Sequence, residues 1–144
     1  MASDLMLVGY WRVAGQDGCP YRDPRELVDP GWDWKPEEKA ELAAYLTGGL
    51  PLTQYLGHSR CRFDCGIPDH RMGNADLTDG TWVWPEGLVH YVREHALPLP
   101  EPFVAHMREH DFRVPEVFDA PEAGDYDDGF WIEWCAAHVR REIA

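Results

Sequence analysis

Two cysteines and two histidines carry the residue types and spacing best suited to chemistry in this chain. Cys61 and Cys65 enclose three residues and are followed by Gly66, which reads as a tight turn offering two thiols. His90 and His95 follow on a predicted helix, with four residues between them. Thiolate sulfur and imidazole nitrogen are the donors zinc prefers, and a cysteine pair two to four residues apart supplies half a tetrahedron from one turn. The 24 residues between Cys65 and His90 are about twice the interval of a common finger, so the loop 67–76 must be accommodated. His70, inside that loop, is a substitute ligand. Four protein ligands would fill the coordination sphere and make the zinc structural, not catalytic. The competing reading is two ordinary thiols in a turn, with His90 packed under Trp84.

Other chemistries find less support. Arg60 and Arg62 flank Cys61 and would favour its thiolate, but the spacing is not Cys-x-x-Cys and no βαβ pattern surrounds it. Glu86 and His90 stand four apart, as an acid/base pair or as a helix-surface ion pair. No Gly-x-Ser-x-Gly, His-Glu-x-x-His or glycine-rich phosphate loop occurs. His106 and His110 also stand four apart, with no cysteine nearby.

The elements that must position the four candidate ligands are legible nearby. Asp79-Gly80 is a hairpin turn, since both residue types tolerate positive φ. Trp82-Val83-Trp84 is β-prone, and Pro85-Glu86-Gly87 opens a helix carrying Leu88, His90, Tyr91 and His95. Turn, hairpin and helix, with Cys at one end and His at the other, form a zinc-finger-like unit. Elsewhere, residues 5–13 and 51–56 read as strands, 36–46 and 101–110 as helices, and 112–114 as a short strand ended by Pro115. A last helix spans 129–143, capped by Asp127 and Asp128, with some of Phe130, Trp131, Trp134 and Cys135 buried. Trp84 is expected to be a core residue joining strand to helix.

The same residues carry a resemblance. Gly57-x-Ser59-x-Cys61-Arg62-Phe63, Cys65-Gly66, Leu77-Thr78-Asp79-Gly80-x-x-Val83-Trp84-Pro85-Glu86-Gly87-Leu88-x-His90-Tyr91-Val92 and Leu99-Pro100-x-x-Phe103-Val104 are quoted in chain order. Together they resemble a family of small bacterial proteins with the pattern CRFCG or CRICG, TDGxxVWPEGLAHYV and LPxxFV. The resemblance extends upstream through Gly9-Tyr10-Trp11-Arg12 and Asp29-Pro30-x-Trp32-Asp33, and so spans roughly residues 5 to 105. It implies no activity. The family spaces its two cysteines by two residues, whereas Asp64 makes the gap three here.

Bulk composition bounds the rest. A chain of 144 residues suits one domain, here 1–144 with the central motif at 57–95 and an acidic loop and final helix at 116–144. That length buries ~70% of the unfolded surface without staples. With 44% hydrophobic and 27% charged residues, the expected fold is a compact α+β domain of three to four short helices and a small antiparallel sheet. The net charge of −13 argues against nucleic acid and anionic membranes and for a basic protein partner. The start of the chain has no basic signal-like region, which points to the cytoplasm and so to free cysteines.

The run 116–133 holds seven acidic residues and no Lys or Arg. Asp125, Tyr126, Asp127, Asp128 and Trp131 are therefore the candidate protein-binding residues. The resulting expectation is a non-enzymatic binding module, immunity- or antitoxin-like or an adaptor, with a structural zinc site. Its alternative is a small metal- or thiol-dependent enzyme using Cys61, Cys65, Glu86 and His90.

Overall fold

The hairpin at Asp79-Gly80 supplies the middle of the sheet. In the computed structural model, which describes residues 5–13, 18–116 and 126–139, β1 (Leu5–Leu7) opens the chain and α1 (Pro36–Thr47) follows after a long loop. β2 (Leu50–Gln54), β3 (Ala75–Thr78) and β4 (Trp82–Pro85) then pair antiparallel, with Leu77 opposite Trp84. Three further helices follow: α2 (Leu88–His95), α3 (Glu101–Glu109) and α4 (Gly129–His138), the last preceded by β5 (Tyr126–Asp127). The α+β reading holds, with four α-helices and five strands among the described residues.

The sheet is mixed where an antiparallel one was expected. Its order is β2-β3-β4-β1-β5, with β1 parallel to both β4 and β5. The hairpin leaves the far edge of β4 free, and β1 fills it in the β4 direction, its Leu5 and Leu7 buried. Parallel pairing needs a long crossover, and the chain between β1 and β4 provides it. The strand expected at 112–114 does not form, because Asp111 and Phe112 both sit in the left-handed region at φ +53° and +56°. The final helix ends at His138, and the rest of the expected 129–143 span from 140 on lies outside the described residues.

Asp79 does more than tolerate a turn. Gly80 takes the positive φ of +93°, while the Asp79 carboxylate turns inward and accepts from the backbone N–H of Thr81 and Trp82. Its second oxygen accepts from the Tyr45 hydroxyl of α1, so the turn is tied to a helix. His106 Nε2 lies 3.2 Å from that oxygen without the alignment of a hydrogen bond.

Trp84 is fully buried, as expected. Its indole N–H donates to Leu46 O at 3.0 Å, and its ring packs by Tyr45 and Phe103, which joins β4 to α1 and α3. No helix among the described residues is long and apolar enough to cross a membrane.

Candidate metal centre

The site is assembled from one turn and one helix. In the turn, Asp64 adopts φ +50° and its N–H reaches Cys61 O at 3.2 Å, which closes the chain between the two cysteines. The Cys61 sulfur accepts from the backbone N–H of Phe63 at 3.4 Å and of Cys65. Amide-to-sulfur bonds of this kind favour a charged sulfur.

The helix is α2, and its start and end are both defined. Gly87 lies so close to Met72 O that a Cβ there would fall 2.8 Å from it. At the other end Ala96 takes φ +51° and Leu97 N bonds back to Tyr91 O at 3.2 Å, stopping the helix at His95 before Pro98. His90 in the first turn and His95 at the last position of this short helix are thereby held with ring centres 5.0 Å apart.

Turn and helix meet at the four candidate ligands. Cys61 Sγ lies 3.3 Å from His95 Nε2, and Cys65 Sγ lies 3.4 Å from His90 Nε2. All four donor atoms fall within 4.8 Å of one another. The edge of a tetrahedron with zinc–sulfur and zinc–nitrogen bonds of ordinary length is ~3.3–3.8 Å. The two short separations are already at that edge, and closing the others asks for a small contraction. The donor set fits a zinc ion.

Burial sets the protonation of this group. It pushes the Cys61 thiol upward, with the two amide bonds pulling the other way. The flanking arginines do not reverse that, and Arg62 spends a guanidinium N–H on Arg60 O. The expected arginine-stabilised thiolate is therefore not what the metal-free site favours. Burial also lowers both histidines, which keeps the imidazoles in the neutral form that a metal requires. Cys61 is buried and Cys65 exposed, so the group has a core side and a solvent side.

Two supporting residues escaped the sequence reading. Tyr91, between the histidines, accepts from Arg62 N at 3.0 Å and donates to Arg60 O at 3.2 Å. It therefore grips the backbone on both sides of Cys61. Phe63 stacks on the His95 ring, with centroids 4.1 Å apart and ring planes nearly parallel. Both sit inside the recognisable motif, but nothing in their type announces a supporting role.

Other candidates fall elsewhere. His70 is exposed in a single helical turn, Asp69–Arg71, and stands outside the four-residue group, because the turn buries Met72 instead. Glu86 precedes α2, and its carboxylate accepts from Asn74 N and Ala75 N, so it is committed to the backbone and not paired with His90. Of the residues expected to dock a partner, Asp125 lies outside the described residues with the rest of 117–125. Trp131 is a correction: it is fully buried, donating to Tyr10 O at 2.9 Å and packing edge-on against Trp11. Tyr126 is half-buried, with its hydroxyl 3.3 Å from Asp76. Asp128 accepts from the Tyr21 hydroxyl, and the exposed Asp127 accepts from Gly129 N at the start of α4.

No protein-family model, curated protein or solved structure matches this chain.

Proposed function

We propose that the chain is a non-catalytic binding module whose central unit is fixed by one structural zinc ion on Cys61, Cys65, His90 and His95. The observation that carries this reading is the convergence of those four donor atoms within 4.8 Å, from segments 25 or more residues apart for each close pair. Four protein donors leave a tetrahedral ion no open position for substrate or activated water. Glu86, the acid/base group an enzyme at this site would use, is held by the backbone of 74–75. The partner is a basic protein, drawn by the net charge of −13. Long-range attraction of that kind acts on the encounter rate and weakens with salt.

The test is metal analysis of purified protein together with a binding measurement. About one zinc per chain is expected, and chelation should lower the melting temperature, because a structural site is filled as the protein folds. Partners recovered from the native host at low salt should be basic proteins and should be lost at high salt. Metal-free protein of unchanged stability, with Cys61→Ser harmless, refutes the zinc. Recovery of acidic partners, or of the same set at both salts, refutes the electrostatic docking.

A further inference from the structure

Beside the cysteine–histidine group, and sharing Arg62 and Tyr91 with its supports, lies a cleft of about 670 Å³ whose lining includes Tyr10, Tyr21, Tyr55, Asp76, Glu86 and Asp128. Its size is that of a small-molecule site. What distinguishes it is the direction of its hydrogen bonds. Asp76, 1% exposed, accepts from the Tyr10 hydroxyl at 2.5 Å and the Tyr55 hydroxyl at 2.6 Å, on different oxygens. The Tyr21 hydroxyl donates to Asp128 at 3.0 Å. Each of these phenols has spent its proton on a carboxylate, so the oxygens that remain are acceptors. The phenols hold those protons firmly: burial and the adjacent carboxylate raise Tyr10 and Tyr55, and push Tyr21 up to about 12.

The charge of this cleft is only partly answered from within: three carboxylates face a single guanidinium, that of Arg62. Among the described residues no Lys, Arg or His forms an ion pair with Asp76, Glu86 or Asp128. Arg62 and His58 also line the cleft; one Arg62 N–H bonds Arg60 O, and its charge offsets one of the three carboxylates without forming an ion pair to any of them. A buried carboxylate is costly unless it is paired as well as hydrogen-bonded. Aromatic faces beside such carboxylates are the surroundings that recognise an organic cation. One donor is left over as well: Trp11, another lining residue and 6% exposed, has its indole N–H without a hydrogen-bond partner.

We propose that this cleft binds an organic ammonium group, its charge set against Asp76, Glu86 and Asp128 and its carbon skeleton against the tyrosine rings. The group belongs either to a free small amine or to a lysine side chain, which share this chemistry. The site is independent of the zinc reading, and its test leaves the cysteines and histidines untouched.

The experiment titrates zinc-loaded protein with n-butylammonium, with choline and with a short acetylated, amidated lysine peptide, following the Trp11 indole N–H by NMR and the heat by calorimetry. n-Butanol and butyrate, which match the skeleton but lack the positive charge, are the controls. Saturable binding of at least one ammonium probe is expected, with neither control binding. Preference for the peptide assigns the group to a protein partner, and preference for a free amine assigns a small ligand. Asp76→Asn should weaken binding by about tenfold, the equivalent of ~1.4 kcal/mol. Asp128→Asn removes a cleft charge while keeping an acceptor for Tyr21, and it should weaken binding in the same direction even if Asp76→Asn does not fold. Butanol or butyrate binding as well as butylammonium, no saturation by any ammonium probe, or unchanged affinity in the folded variants overturns the proposal.

Discussion

Cys61 Sγ and His95 Nε2 stand 3.3 Å apart although 34 positions separate them in the chain. The turn that carries one and the helix that carries the other are joined by Tyr91, whose hydroxyl bonds the backbone of both Arg60 and Arg62. The candidate metal site is thus held by a residue outside its four possible ligands.

Tyr91→Phe tests that dependence. The ring and its packing remain while the hydroxyl goes, so the turn loses its two fixings. Zinc affinity should fall by at least roughly tenfold, the scale for groups that orient metal ligands. Saturation should still be reached at one equivalent. Competition with a chromophoric chelator measures it, and an affinity equal to the wild type would show that the turn holds itself.

Trp84 has no such local role; it fills the core. Its full burial and its bond to Leu46 O place it where β4, α1 and α3 meet. Trp84→Ala should cost ~3–5 kcal/mol in denaturant unfolding, as large core truncations do. A loss below ~1 kcal/mol would mean that the site collapses around the cavity.

These two tryptophan and tyrosine cases show what the residue pattern makes legible. The turn, the hairpin and the histidine-bearing helix are written locally, in Gly66, in Asp79-Gly80 and in the prolines that stop helices. The four candidate ligands could be singled out because thiol and imidazole are the donors zinc prefers and a cysteine pair can offer two of them from one turn. Long-range placement was not legible in the same way. Nothing near Leu5–Leu7 says that it will lie parallel to Trp82–Pro85, since that depends on which sheet edge remains free. Trp131 follows an acidic run and so is a candidate for partner binding, yet its full burial is decided by Tyr10 and Trp11, more than a hundred residues earlier. His70 was offered as a ligand on chain distance alone, and a single helical turn carried it out of the group.

Alkaline pH offers a test of the buried phenols. Burial, reinforced by a neighbouring carboxylate, raises Tyr10, Tyr45 and Tyr55, and pushes Tyr21 up to about 12. An unfolded tyrosine ionises near ~10. Above that pH the unfolded chain gives up protons that the folded one keeps, so stability present below ~10 falls as pH rises. For Tyr21 the loss should run from ~10 to about 12, and it should continue higher for the others. Unfolding midpoints taken across that range should drop steadily, and Tyr10→Phe should flatten the slope. A midpoint that stays level through it would contradict the hydrogen bonds assigned to Asp76, Asp79 and Asp128.

The central claim is that Cys61, Cys65, His90 and His95 hold one ion between them. X-ray absorption on the zinc-loaded protein tests it most directly, because it reads the number and kind of bonded atoms. The account predicts two sulfurs at ~2.3 Å and two nitrogens at ~2.0–2.1 Å, with no other bonded atom. His95→Ala should convert one nitrogen to a water oxygen or empty the site. A first shell of oxygen atoms alone, or one without sulfur, would contradict it.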